Sequence, residues 1–480
     1  MLQADHAQRQ RRLGVRSALI AAGAASALCL TAAPASAATG PVSPKPVAGT
    51  PTLVATATTE TIRQIADCGG FMYAVGEFTK ISGWNGSSTQ TVTRNRVFKF
   101  SDAAPFKVSS WDPNVNGTVN TIALSGDCSK AYIGGQFTTV GGAAAKNFAA
   151  INTTTGALVP GVNDNAGGQV ETILAVGNHL LVGGFFKGIN GSSANPYYTS
   201  LDPATGKDDG FLHLNISGHY VFTGVKRNAT EVYNQQLSHG GSLVLVEGDF
   251  TSVGGQQRRQ IFMINVAGSS ATLTGWTSPQ FDGSDPNATL NPNDKYFNCG
   301  DSHPFYIRGA AWSADDQTVY TAETGVKPIL WDGKTFPIPG LCDAAAAFPA
   351  TQSRVFSHWI AYTGCDSLYS AVADSSAVYV GGHNRWFNNQ NDCNKEGPGA
   401  IPDPGLAGLY PTGSTAGTPG TLILNKAGTA GLYKRSRGHG ADDMLITSAG
   451  LWVASDNFAG GGTTSCGGQT GFAGLCFLPY

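Results

Sequence analysis

Apolar and small residues alternate in short runs along this chain, and every second run closes on glycine. Tyr132-Ile133-Gly134-Gly135 leads into Gln136-Phe137-Thr138-Thr139-Val140-Gly141-Gly142, and the phrase returns at 73–83, 181–186 and 245–255. Short apolar runs bounded by glycine and polar turns read as strands, and self-similarity at a long period reads as stacked copies of one unit. In the clearest copy, Thr121-Ile122-Ala123-Leu124 predicts a first strand, 131–135 a second and 147–152 a third, with a fourth from Leu158. Four antiparallel strands per copy make a propeller blade.

Aligned on the second strand, one position is held by Gly76, Gly135, Gly184, Gly248, Glu323, Gly382 and Ser455, at spacings of 59, 49, 64, 75, 59 and 73 residues. The expected fold is all-β: over residues 51–480, a seven-bladed β-propeller of four-stranded antiparallel blades. The last copy stops at 474–479 without a fourth strand, while Pro51-Thr52-Leu53-Val54-Ala55-Thr56-Ala57 precedes the first copy as a spare. That N-terminal strand is expected to close the last blade and cover its bare edge. Residues 38–50 are expected to be a flexible lead-in. Trp111, Trp276 and Trp359 recur at one register near the fourth strand, which favours packing between blades over a sugar-stacking ring.

Composition narrows the class. Charged residues are 13% of the chain and 63 of 480 residues are Gly, which suits glycine turns and argues against a coiled coil or a charged disordered chain. Arg9, Arg11, Arg12 and Arg16, an apolar run at 18–33 and Ala35-Ser36-Ala37 read as a signal peptide spanning 1–37. Its removal takes four Arg from 30 basic residues and one Asp from 32 acidic ones, leaving 26 and 31 and a formal charge of −5. No basic stripe remains for nucleic acid, and no later run is long and apolar enough for a membrane helix. The expectation is a monomer, secreted or associated with the cell envelope.

After the leader the cysteines are Cys68, Cys128, Cys299, Cys342, Cys365, Cys393, Cys466 and Cys476. An even count in an exported chain reads as disulfides. The layout favours Cys365–Cys393 and Cys466–Cys476, with Cys68–Cys128 and Cys299–Cys342 for the remainder.

Candidate chemistry gathers in the last three copies, on the face carrying the second-to-third-strand loops and the loops between blades. Asp301, His303 and Arg308 enter the fifth copy, and Arg354 and His358 precede the sixth. His383, Arg385 and Trp386 follow its second strand, and Arg437 and His439 precede Asp442 and Asp443 in the seventh. His239 joins them more loosely. Arginine forks onto a carboxylate, tryptophan stacks on a sugar ring, and histidine exchanges a proton near neutral pH. These nine residues (Asp301, His303, Arg308, His358, His383, Arg385, Trp386, Arg437 and His439) are the ligand-binding candidates, with His383, His439 and Arg437 the catalytic ones. A lyase would use Arg437 or Arg385 on a uronate and His383 or His439 as base. A hydrolase needs paired carboxylates, for which Asp442, Asp443 and Asp456 are nearest, but Asp442 and Asp443 should point to opposite faces of a strand. No cofactor is implied. Calcium is the one metal left open, through Asp442, Asp456 and Asn457, although no Asp-x-Asp-x-Asp loop is present.

The Gly-Gly-x-Phe-Thr-x-Val-Gly-Gly phrase resembles the delta-sixty repeat of exported bacterial β-propellers, and related repeats occur in fungal cortical polarity proteins. Val380-Gly381-Gly382-His383-Asn384-Arg385-Trp386 and Arg437-Gly438-His439-Gly440 resemble secreted propellers of actinobacteria. The resemblance covers nearly the whole mature chain and implies the fold, while propellers host binding and catalysis alike. The function expected is an exported module that binds an extracellular glycan. The alternatives are a polysaccharide lyase or glycoside hydrolase, and a structural or protein-binding scaffold of the envelope.

Overall fold

Among the described residues, seven antiparallel sheets that meander in strand order follow one another along the chain, with five smaller sheets beside them. The computed structural model describes residues 40–162, 165–219, 229–282, 306–325, 340–390, 392, 395–436, 438, 440–457 and 464–480. The inner strands of sheets 1 to 7 are Thr61–Cys68, Thr118–Leu124, Gln169–Val176, Glu231–Leu237, Ile307–Trp312, Leu368–Ala373 and Asp443–Thr447. Each packs on the next, and the inner strand of sheet 7 packs on that of sheet 1. The chain is all-β and its sheets are built as propeller blades. Every aligned glycine-phrase position is the last or next-to-last residue of a second strand, or directly follows it. A full fourth strand is present in sheets 4 and 5, whereas sheets 1, 2, 3 and 6 reduce it to a single bridge, such as Ile151 with Leu158.

The glycine phrase follows from a defect in the inner strands. In sheets 1 to 6 the pairing of first and second strands slips by one residue, at 62/64, 119/121, 170/172, 232/234, 307/309 and 368/370. Such a β-bulge leaves one residue unpaired and bends its strand. The bend presses the inner backbone onto the second strand. A Cβ on Gly76, Gly135, Gly184, Gly248 or Gly382 would run into the carbonyl oxygen of Thr61, Thr118, Gln169, Glu231 or Ser367. The preceding glycine serves the neighbour: a Cβ on Gly134 or Gly183 would strike Val170 or Val232 in the next sheet.

Side chains just after the bulge belt the inner strands together. The amides of Ile65, Ile122 and Ile173 donate to Asp443 Oδ2 (2.9 Å), Gln64 Oε1 (2.6 Å) and Thr121 Oγ1 (2.9 Å) of the preceding sheet. Ser370 Oγ donates to the Ala441 carbonyl at 2.8 Å. Between sheets, Trp111 and Trp276 are buried, and their Nε1 groups donate to the carbonyls of Asn152 (3.0 Å) and Pro349 (2.9 Å) in the following sheet. Trp359 is only half-buried and borders an outer groove of about 470 Å³.

The outer edge of the last sheet is met from the N-terminal side mainly by residues before the expected spare, which itself reaches this region where Leu53 donates to the Ala473 carbonyl at 2.9 Å. Ser43 and Val47 donate to the carbonyls of Pro479 (2.7 Å) and Phe477 (2.9 Å), while Thr52–Leu53 pairs with the hairpin strand Lys80–Trp84. Nor is 38–50 a loose lead-in throughout. Val42 is buried, its amide donates to Tyr379 Oη at 2.9 Å, and Tyr433 Oη donates to its carbonyl at 2.7 Å. Cys68–Cys128 joins the turns of sheets 1 and 2, and Cys466–Cys476 lies within sheet 7. Cys342 and Cys365 are also disulfide-bonded, whereas Cys299 and Cys393 lie outside the described residues.

Gly135→Ala is expected to cost about 1–3 kcal/mol by overpacking the bulge. Gly126→Ala meets nothing within 4 Å and should be nearly neutral. Urea denaturation of the two variants makes the comparison, and equal midpoints would remove the bulge as the reason for the glycine.

Candidate functional site

The residues released by the bulges face a common space. Arg63, Asn120, Glu171, Tyr233, Arg308 and Tyr369 are the unpaired residues of their strands, and all line a central cavity of about 310 Å³. Asp442, directly before the inner strand of sheet 7, lines it too. These positions lie near the start of each inner strand, so the cavity sits toward the end that bears the inter-blade loops. Its wall is strongly polar. Asn120 Nδ2 donates to Glu171 Oε2 at 2.9 Å, and Arg63 reaches Glu77 at 3.4 Å. Tyr233 packs edge-on to Tyr306 with ring centres 6.3 Å apart. Burial pushes both hydroxyls above the usual tyrosine range, with Asp249 and Glu231 adding to the rise and Arg308 opposing it.

Of the residues expected from sequence, Arg308 lies in this cavity. His383 stands behind its wall, with Nδ1 3.2 Å from the Tyr369 hydroxyl. Arg385 is committed elsewhere. Its Nε and Nη2 fork onto buried Asp366 at 2.8 and 2.9 Å, and its guanidinium lies 4.3 Å over the Trp386 ring. That pair knits the second-to-third-strand loop of sheet 6, so neither Arg385 nor the covered face of Trp386 is open to a ligand. His358 is exposed in the connection between the third and fourth strands of sheet 5, at the opposite end from the expected face. His239 is at that end as well, in a first-to-second-strand turn, with Nδ1 2.9 Å from Asp316 Oδ1 of the next sheet. Asp301, His303, Arg437 and His439 lie outside the described residues. The five-histidine face is therefore not assembled as expected, because alternate strand connections emerge at opposite ends of a sheet.

Asp442 and Asp443, expected on opposite faces, both border the cavity. Asp443 is nonetheless held by the Ile65 amide across the junction of sheets 7 and 1. The calcium candidates are similarly engaged: Asn457 Oδ1 accepts from the Glu60 amide at 3.0 Å, and Asn457 Nδ2 donates to the Val54 carbonyl at 3.3 Å. Among the described residues, no three His, Cys, Asp or Glu side chains are placed to hold a metal ion.

No protein-family model matches the chain, and no curated protein sequence matches it. Solved structures do match in outline. The WD40 β-propeller domain of Doa1 is 8% identical, with 85% of this chain and 95% of that chain covered and a TM-score of 0.40. U3-55K is 9% identical, with 91% and 100% covered and a TM-score of 0.43. Saccharomyces cerevisiae Sqt1 is 10% identical, with 90% and 100% covered and a TM-score of 0.43. Likeness at this level carries nothing about a ligand or partner.

Sequence reasoning passed over Arg63, Asn120, Glu171, Tyr233 and Tyr369, although four of these five strands carry a signal. An apolar residue, two polar or small ones and another apolar or small one recur as Ile62-Arg63-Gln64-Ile65, Val119-Asn120-Thr121-Ile122, Val170-Glu171-Thr172-Ile173 and Leu368-Tyr369-Ser370-Ala371. Two consecutive polar residues break the period of two, which marks an inserted residue.

Several carboxyls near the inner strands are buried without charge partners. Glu247 takes the place of the first glycine of its phrase; burial pushes it up to about 8, and neighbouring Asn234 offsets this only in part. Glu323 takes the place of the second glycine and is pushed well above the carboxylate range by burial. Asp343 is raised to about 8 by burial, against a hydrogen bond from Ser367, and Asp443 to about 7 against the Ile65 amide.

Arg385→Ala is expected to lower stability by about 3 kcal/mol, the cost of stripping a buried carboxylate of its ionic partner. Ligand binding by the folded fraction should be unchanged; a binding loss without destabilisation would return Arg385 to the site. The raised carboxyls hold protons more tightly in the folded state than in the unfolded one. Stability should therefore fall as pH rises from about 5 to about 8. Glu247→Gln should flatten that fall in urea midpoints measured at both pH values, and an unaltered slope would contradict the assignment.

Proposed function

We propose that this protein is an exported, monomeric ligand-binding β-propeller, its seven sheets standing as the blades of one closed ring. Its ligand is an extracellular saccharide received in the central cavity. The observation carrying this reading is the register of the lining: six inner strands contribute their bulge residue, Asp442 stands directly before the seventh, and those side chains are polar or aromatic. Amide and guanidinium donors (Asn120, Arg63, Arg308) alternate with carboxylate acceptors (Glu171, Glu231, Asp442) and two tyrosine rings. Hydroxyl-rich ligands match such a wall, because each hydroxyl both donates and accepts and a sugar ring packs on an aromatic face. A volume of about 310 Å³ is at the lower end for ligand sites and suits one or two sugar residues. The leader at 1–37 and the disulfides support export.

Binding is favoured over hydrolysis because Asp443, the carboxyl next to Asp442 in sequence, accepts the Ile65 amide. A lyase would now rest on Arg308 and the Tyr369–His383 pair instead of Arg385. The Arg354–His358 segment is no part of either reading.

Asn120→Leu is expected to weaken saccharide binding at least about tenfold, near 1.4 kcal/mol, with no loss of thermal stability. Calorimetry with residues 38–480 against mono- and disaccharides checks this, with mass spectrometry of the sugars for products. Unchanged affinity would move the ligand out of the cavity, and cleaved sugar would make the protein an enzyme.

A further inference from the structure

Arg308 differs from three arginines that are held by acids. Arg63, Arg94 and Arg385 each meet a carboxylate, at 3.4, 3.8 and 2.8 Å. The Arg308 guanidinium meets none among the described residues. It lies in the cavity between two aromatic rings, its central carbon 5.3 Å from the Tyr233 centroid and 6.0 Å from that of Tyr369. Flanking rings hold a guanidinium by its faces and leave its N–H edge free to fork onto a planar acceptor. A second observation falls on the same wall. The Tyr233 hydroxyl is buried and has no hydrogen-bond partner among the described residues, an orphan that native structures seldom keep without a reason. The Tyr369 hydroxyl, by contrast, is positioned by His383 at 3.2 Å.

We propose that Tyr233, Arg308 and Tyr369 anchor the carboxylate-bearing ring of a uronic-acid saccharide. The inference rests on the cavity reading above and adds the ligand's chemical class. A sugar carboxylate gives Arg308 the bidentate acceptor it lacks, and the ring packs against a tyrosine face. The remaining wall selects against other anions. Glu171, Glu231 and Asp442 line the same cavity, so a sulfated or phosphorylated polyanion meets repulsion. A singly charged sugar instead turns its hydroxyls toward those acceptors. A neutral sugar fills the space but leaves Arg308 without an anion as the cavity loses water.

The test is calorimetry on residues 38–480 with galacturonate, glucuronate and mannuronate, as monosaccharides and as disaccharides carrying one uronate residue, each paired with its methyl ester. The ester keeps the ring and removes the charge. At least one free acid is expected to bind about tenfold or more tightly than its ester. Arg308→Gln should abolish that preference, and Arg308→Lys should restore only part of it, since an ammonium lacks the fork. Arg308 is solvent-exposed within the cavity, so its replacement should leave the melting temperature unchanged. If acid and ester bind equally, and both are lost in Asn120→Leu but kept in Arg308→Gln, the uronate inference is overturned while the cavity reading survives. If neither binds, or binding ignores Asn120→Leu as well, both fall.

Discussion

One backbone contact underlies both the packing and the site: the inner strand, bent by its bulge, rests its carbonyl on the glycine of the second strand. The bulge supplies a residue with no partner in the ladder, so its side chain is free for the cavity. The glycine supplies the space without which the bend could not be held. In sheets 1 to 4 and 6 the two occur together. A larger residue in the second strand pushes the inner strand away, while a regular inner strand returns the cavity residue to alternation and turns it into the sheet. Sheets 5 and 7 show the limits of the rule. Glu323 and Ser455 stand where glycine is expected, and Glu323 is left as a fully buried carboxyl.

The belt of side chains just after the bulge divides labour between neighbouring positions. Arg63 faces the cavity while Gln64 accepts the Ile122 amide; Asn120 faces the cavity while Thr121 accepts that of Ile173. Binding chemistry thus varies from sheet to sheet at one position, and cohesion is kept at the next. This explains why six inner strands share a geometry but present Arg, Asn, Glu, Tyr, Arg and Tyr.

The strand grammar was legible because glycine pairs and short apolar runs are local signals. The second strands fell where Gly76, Gly135 and Gly382 put them. The site was legible only at Arg308 and, indirectly, at His383. Rare residue types attracted attention to His358, Arg385 and Trp386, yet the first lies at the wrong end of its sheet and the other two are bound to each other and to Asp366. Arg63, Asn120 and Tyr369 looked ordinary in isolation. Their meaning lies in a shared register across distant strands, which a reading of one loop at a time does not reveal. The N-terminal seam was misplaced for a similar reason.

That seam also governs the order of events in folding. Tyr433 and Val42, 391 positions apart, share a hydrogen bond, and the segment that donates to the edge of the final sheet comes from the N-terminal side. Until Phe477 and Pro479 are in place, Ser43 and Val47 lack the carbonyls to which they donate; until those bonds form, the strand Leu475–Pro479 keeps an open edge that invites pairing with another molecule. Completion is thus a single late step, and a chain cut short at either end is left with an unfinished sheet for proteases to find.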